Sequence, residues 1–337
     1  MSETLYVAEL SANHNNSLEN AHRIIEEISK SGASALKLQT YNPDTMTLDL
    51  NEGPFSVPKS NQLWGGRSLY DLYGEAMTPW SWHAELFAHA WEAGMVPFST
   101  PFDSSAVEFL ESLSCPIYKI ASFEIVDVEL IRLCASTGKP MIISTGMATL
   151  EEISRAVDAA RNAGCTDLTL LKTTSAYPAS PGNSNLATMQ TLGQIFECKV
   201  GVSDHTLGIG AAVAAVTLGA SVVEKHVTLN RSSGGVDSAF SMEPAEFESL
   251  VRESEIAKSA VGRVFFGPNL EDKESLGFRR SIYLTRDVSP GEILSRENSR
   301  AVRPGFGLPI HLYQDSLGLK FKESFLAGSP VSLEMFK

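Results

Sequence analysis

Apolar residues fall in short unbroken runs separated by stretches with a helical beat. Leu5–Leu10, Ala35–Gln39, Val96–Thr100, Ile117–Ala121, Met141–Thr145, Leu168–Thr173, Lys199–Ser203 and Val222–Val227 are mostly near-continuous rather than alternating. That is the pattern of parallel strands buried on both faces. Between them the spacing turns amphipathic. Ala21, Ile24, Ile25 and Ile28 recur at i, i+3, i+4 and i+7, and Gly32 stops the run, which predicts a helix with one apolar face. Thr78-Pro79 reads as an N-cap followed by proline at the first helical position. Thr149-Leu150-Glu151-Glu152 predicts a capping box, with Ile153, Val157 and Ala160 on the face that follows and Gly164 as the stop. Asp103 and Asp127 are candidate caps for two more helices.

Eight strands alternating with helices over about 260 residues match a (β/α)8 TIM barrel. A doubly wound open sheet permits the same alternation; the count of eight favours the barrel. Past Gly277 the pattern changes to short strands punctuated by Pro and Gly, around Arg280–Thr285, Asp287–Glu292 and Phe325–Pro330. The expected organisation is a barrel over residues 1–276 and a small β-rich domain over 277–337. The second is too small for a comfortable core of its own, so it should dock on a barrel, its own or a partner's. Asn42–Met77 shows no clear helix or strand. A loop of that length reads as a lid or binding loop, in which Trp64, Arg67, Tyr70 and Tyr73 are equally suited to covering a ligand or to surface packing.

Charge sharpens this division. The 337-residue chain carries a formal −13, but residues 280–337 hold a net +2 and the remainder −15. So acidic a body would repel a phosphate backbone, which excludes nucleic acid as the expected partner. No uncharged apolar run nears the roughly 20 residues of a membrane span, and the start, MSETLYVAELSANHNN, lacks a basic region followed by an apolar one. Cys115, Cys134, Cys165 and Cys198 are widely spaced with no CxxC pair, so they read as thiols in a reducing compartment. The expectation is a water-soluble cytoplasmic protein.

In a (β/α)8 barrel the chemistry sits at the C-terminal ends of the strands. Collected there are Glu9, Asn13 and His14; Lys37 and Gln39; Thr100; Lys119, Ser122 and Glu124; Ser144 and Thr145; Lys172, Ser175 and Tyr177; Ser203, Asp204 and His205; and Glu224, Lys225 and His226. Lys37 and Lys119 lie inside apolar strands, where a lysine either snorkels to the rim or meets an anion. With the hydroxyls of Ser122, Ser144 and Ser203 they would make a phosphate or carboxylate site. His205 and His226 end neighbouring strands and could share a divalent metal with open positions; the alternative is two separate histidines, one pairing with Glu224 or Asp204.

AELSANHNNSLENA, ALKLQTYNPDTMTLD, FSTPFD, YKIASFEI, ISTGM, SAYPASP, GVSDHTLG and EKHVTLNRSSGGVDSAFS occur in the order and spacing of the sialic acid synthase family, which the whole chain resembles. The tail, with RAVRPGFGLP, is similar to that family's C-terminal antifreeze-like (SAF) domain. The resemblance implies an enzyme that condenses phosphoenolpyruvate with an N-acetylated amino sugar into a nine-carbon 2-keto acid. Leu10-Ser11-Ala12-Asn13-His14 departs from the Ile-Gly-x-Asn-His that neuraminate synthases tend to read. With LWGGRSLYDLY and Ser175, it points to a sugar bearing two acetamido groups and no 6-hydroxyl, a 2,4-diacetamido-2,4,6-trideoxy-L-altrose. Amino sugars leading to neuraminic or legionaminic acid are the alternative.

The resemblance further implies that Lys37, Thr100, Lys119, Ser122, Ser144 and Ser203 hold phosphoenolpyruvate. It places manganese or magnesium on His205 and His226. Gln39, Glu124, Ser175, Tyr177 and Asp237 would line the sugar side, with Glu9 there as a candidate proton shuttle and so, beside Lys119 and the histidines, a catalytic candidate. Arg303 would reach the barrel of the other protomer in a domain-swapped homodimer. A metal-dependent aldolase or epimerase could use the same histidines, and phosphate release from phosphoenolpyruvate separates it from a synthase.

Overall fold

All eight apolar runs are strands, each within a residue of its expected ends. The structure is a computed structural model describing residues 4–337; residues 1–3 of the expected barrel domain lie outside it. The strands are β1 (Leu5–Glu9), β2 (Ala35–Thr40), β3 (Val96–Pro101), β4 (Tyr118–Ile120), β5 (Met141–Ser144), β6 (Leu168–Thr173), β7 (Lys199–Ser203) and β8 (Val222–His226). Each pairs in parallel with the next and β8 pairs with β1, so the sheet is a closed barrel and the open-sheet alternative falls away.

The alternation within each strand separates two kinds of burial. Thr40 Oγ1 bonds His83 Nε2 of the helix Trp80–Glu92 at 2.9 Å and Ser99 Oγ at 2.7 Å. Those side chains therefore face the helix shell. Lys37 and Thr100, one or three positions away, face the lumen and meet there, Lys37 Nζ donating to Thr100 Oγ1 at 3.3 Å. Both faces being dry is why the strands read as continuous apolar runs.

The helices follow the capping chemistry with one exception. Ser17 caps the helix Leu18–Lys30, which buries Ala21, Ile24, Ile25 and Ile28. The Thr149–Glu152 capping box is present in both directions, and Asp103 and Asp127 accept from the first turns of their helices. At Thr78-Pro79 the expectation needs correcting. The helix begins at Trp80 with Pro79 as its N-cap, in an extended conformation at ψ 130°, and the Thr78 hydroxyl is buried without a hydrogen-bond partner. The long segment after β2 is also more ordered than expected. It contains the helices Pro43–Met46 and Leu69–Ala76, the second capped by Ser68 and burying only Leu72.

The chain divides into two compact units, one running to Gly262 and the other Arg263–Lys337. The second pairs β9 (Ser281–Leu284) antiparallel with β10 (Ser299–Val302) and encloses its own core of Ile282, Leu284, Val288, Leu294, Leu308, Tyr313, Phe321, Val331 and Met335. All four cysteines are free; Cys115, Cys134 and Cys165 are buried and Cys198 half-buried. Among the described residues no helix is long and apolar enough to cross a membrane.

Candidate active site

Register puts the polar strand ends side by side: Glu9 lies opposite both Lys37 and His226, Gln39 opposite Thr100, and Ser203 opposite Glu224. At the centre is a buried quartet. Lys37 pairs closely with Glu9, and Glu224 Oε1 lies 3.7 Å from Lys37 Nζ, 3.6 Å from Lys119 Nζ and 3.0 Å from the Ser203 hydroxyl that donates to it. The lysines do not snorkel: Lys37 is 4% and Lys119 2% exposed. Part of the anion that their strands required is the protein's own pair of carboxylates. The sequence suggests Glu224 only as a partner for histidine. Its position two residues before His226 is the signal that it shares the lumenal face.

The four groups do not share charge evenly. Burial pushes the Glu9 carboxyl up to about 7, against the pull of Lys37. Burial likewise brings Lys119 down to about 8, against the attraction of Glu224. Desolvation acts on Lys37 and Glu224 too, but is outweighed. Glu224 and Glu9 hold Lys37 above its ordinary value, and Lys119, Lys37 and Ser203 hold Glu224 below its own. Lys119 is therefore the loosely held cation, its ion pair with Glu224 longer than a hydrogen bond. Lys172, at the end of β6, is half-buried and caps the Thr173 carbonyl at 2.9 Å.

Further hydroxyls gather at and just past the ends of β4, β5 and β6. Ser144 Oγ accepts from Thr173 Oγ1 at 3.2 Å. Ser122 and Ser175 converge on Gly146, where a Cβ would fall 2.4 Å from Ser122 Cβ and 2.8 Å from Ser175 Oγ, at φ +42°. Ser175 Oγ is buried with no hydrogen-bond partner. Gly146→Ala is expected to displace both serines and raise the KM of an anionic substrate roughly tenfold or more, with a lowered melting temperature, read by steady-state kinetics and thermal unfolding. Glu124, in the short 3-10 turn Glu124–Val126 after β4, has one carboxylate oxygen buried without a partner. Burial pushes it up to about 7.

On the other side stand the imidazoles, their centroids 5.3 Å apart. His205 Nδ1 donates to the Thr174 carbonyl at 2.9 Å, which leaves Nε2 as the acceptor of the neutral ring. Burial holds His205 down to about 4 and His226 well below its ordinary value, so both are neutral. Among the described residues neither forms an ion pair with Glu224 or Asp204; the carboxylate facing His226 is that of Asp237, 3.9 Å from its Nδ1. Asp204 is instead claimed by Lys225, whose ammonium lies 3.0 Å from its Oδ2 and donates to the Thr206 carbonyl at 2.6 Å.

The imidazoles fit a divalent cation: both are unprotonated, and His226 Nδ1 is buried with no hydrogen-bond partner. Among the described residues no three His, Cys, Asp or Glu side chains form a metal-holding group. Two imidazoles would be the protein's share, leaving positions for water and substrate.

Tyr177 lies against His205 (4.3 Å between ring centroids) and Phe240 (5.0 Å), and Phe240 meets His226 edge-on at 5.1 Å. From the long segment after β2, Trp64 reaches Tyr177 at 6.1 Å and donates through Nε1 to the Val236 carbonyl at 2.9 Å. Arg67 and Tyr70 pair instead with Glu75 and Asp44, and Tyr73 meets Tyr41 edge-on. Asp237 is buried, with Ser11 and Ala12 bonded to its Oδ2 and His226 Nδ1 3.9 Å away. Phe240 is a residue of this cluster that the sequence does not reveal, since nothing in its spacing marks it, whereas Ser11 stands out in the sequence only as the serine where neuraminate synthases tend to read glycine. Arg303 is exposed and belongs to the second unit.

A closed barrel with charged, hydroxyl and imidazole side chains gathered at its strand ends has the arrangement of a (β/α)8 enzyme. The chain belongs to the NeuB family, whose profile matches residues 24–265, and the SAF domain matches residues 279–337. It is 45% identical over 330 residues to the pseudaminic acid synthase of Helicobacter pylori, covering 97% of this chain and 96% of that one. To the pseudaminic acid synthase of Campylobacter jejuni serotype O:23/36 it is 41% identical, covering 98% and 96%. Among solved structures it resembles the N-acetylneuraminic acid synthetase of Leptospira borgpetersenii, with TM-score 0.72 and 29% identity over 82% of this chain and 90% of that one.

Proposed function

We propose that the chain is a pseudaminic acid synthase. It condenses phosphoenolpyruvate with the open-chain aldehyde of 2,4-diacetamido-2,4,6-trideoxy-L-altrose and water, giving pseudaminic acid and inorganic phosphate. The observation that carries this is the likeness, through both domains, to relatives of that name. The buried lysines and hydroxyls suit the phosphate and carboxylate of phosphoenolpyruvate. Lys37 with Thr100, and Lys119 with Ser122, Ser144 and Ser203, would bind it as charges and hydrogen-bond donors. Gln39, Glu124, Ser175, Tyr177 and Asp237 would orient the sugar. Manganese or magnesium on His205 and His226 would supply Lewis-acid polarisation of the aldehyde carbonyl.

C3 of the enol attacks the aldehyde carbon, forming the C–C bond and leaving positive character at C2. Glu9, which burial raises to about 7 so that about half of it carries a proton at neutral pH, gives that proton to the aldehyde oxygen. Water adds at C2, one of its protons restores Glu9, and the tetrahedral intermediate collapses to the ketone, expelling phosphate with the C–O bonding pair and passing the C2 hydroxyl proton to the departing phosphate. Lys119 and Lys37 stabilise the departing charge.

Phosphate release from phosphoenolpyruvate, measured with this sugar and with N-acetylmannosamine in parallel, tests the reading. Release with the altrose derivative alone is expected. Release with N-acetylmannosamine alone would favour the neuraminate alternative, and none with either would overturn synthase chemistry. The same reading makes the enzyme a domain-swapped homodimer in which Arg303 serves the partner's barrel. Arg303→Ala should raise the sugar KM roughly tenfold. Mixing it with a variant inactive in the barrel should restore affinity in the hybrid dimers; no restoration would exclude the swap.

A further inference from the structure

Ser11, two residues beyond Glu9, has φ +45°. L-residues other than glycine avoid that region. Such strain persists where the surroundings over-determine it, and it gathers at functional sites. Ser11 is 2% exposed, and its hydroxyl donates to Asp237 Oδ2 at 2.5 Å. The same turn brings the Ala12 N–H to that oxygen at 3.4 Å. Among the described residues no hydrogen bond reaches Asp237 Oδ1, so one carboxylate oxygen is tied down and the other is left over.

These bonds are not needed to dock the loop after β1 on the loop after β8. Asn13 Nδ2 already donates to the Val227 carbonyl and to Ser241 Oγ, each at 2.8 Å, and Ser238 Oγ donates to Asn13 Oδ1 at 3.1 Å. The strained residue therefore acts on the carboxylate rather than on loop closure.

We propose that Ser11 is a positioning residue that sets the Asp237 carboxylate for the sugar, with Oδ2 fixed and Oδ1 presented to a hydroxyl or acetamido N–H of the substrate. This rests on the synthase reading above. Glycine adopts φ +45° freely, so Ser11→Gly removes the hydroxyl and the strain together, whereas Ser11→Ala removes the hydroxyl and keeps the strain.

Both variants are expected to raise the sugar KM by a similar factor, roughly tenfold or more, and to leave the phosphoenolpyruvate KM within about twofold of wild type. Their melting temperatures should diverge, with glycine at or above wild type and alanine below it. In an Asp237→Ala background, adding Ser11→Gly should not change the sugar KM further. A wild-type sugar KM in Ser11→Gly would overturn the proposal, and so would an equal rise in both substrates' KM values. Should Ser11→Gly fail to fold, Ser11→Ala supports or overturns the proposal by the same two KM values, alone and in the Asp237→Ala background. Wild-type turnover separates this from the functional reading: no phosphate release from wild type with either sugar defeats the synthase, whereas normal wild-type release with an unchanged Ser11→Gly KM defeats only Ser11.

Discussion

Lys119→Met is expected to lower kcat/KM for phosphoenolpyruvate by on the order of 100- to 1,000-fold. Methionine keeps the length and apolar stem that β4 packs, so the loss isolates the ammonium. In the folded protein Lys119 is the cation least committed to internal partners, 3.6 Å from Glu224 Oε1, whereas Lys37 is gripped by Glu9. Breaking a buried ion pair ordinarily costs about 3–5 kcal/mol. The stability loss here should be smaller, because Glu9, already raised to about 7, takes up a proton instead of remaining an unpaired charge.

The same groups fix the sign of the pH dependence. Below pH 7 Glu9 is neutral, and Lys37 and Lys119 outnumber the one carboxylate, Glu224. Above 7 Glu9 ionises and the quartet is neutral. Above about 8, Lys119 loses its proton and the quartet turns negative. Affinity for a phosphate-bearing anion should therefore fall stepwise as pH rises from 6 to 9 in the wild type. In Lys119→Met the upper step should vanish. A KM for phosphoenolpyruvate that is flat over this range in wild type would contradict the assignment.

His226→Ala is expected to reduce turnover roughly a thousandfold or more, for a different reason. Both imidazoles are kept neutral by burial, and among the described residues no hydrogen bond reaches His226 Nδ1. A buried acceptor left unsatisfied is costly unless something fills it. Removing the ring should remove manganese binding, measured by calorimetry, along with the activity, while the barrel stays folded because among the described residues no hydrogen bond to His226 Nδ1 is lost. Undiminished manganese affinity in the variant, or full wild-type activity in chelated buffer, would sink the metal role.

The barrel was legible because burial on both faces leaves a mark on every strand. The charged quartet was only half legible. Lys37 and Lys119 stand out as cations among leucines, isoleucines and a tyrosine, but nothing in a linear pattern says that Glu9 and Glu224, 215 residues apart, close on them. That pairing exists only once β1 meets β8. The helix Leu69–Ala76 is hard to see in the sequence because it buries a single leucine and has no apolar stripe to count. The turn at Ser11 is marked in the sequence only by a serine where the resembling synthases tend to read glycine; that its φ is positive shows only in the structure.

Along β8 three consecutive side chains divide their labour. Glu224 and His226 face the lumen, whereas Lys225 faces the helix shell and clasps Asp204 and the Thr206 carbonyl beside His205. The loop bearing one imidazole is thus bolted to the strand bearing the other from outside the barrel. For anyone re-engineering this scaffold, the exterior of β8 is no neutral ground. A change at Lys225, out of sight of every substrate, would detune the spacing of the imidazoles before it disturbed the sugar or the phosphate.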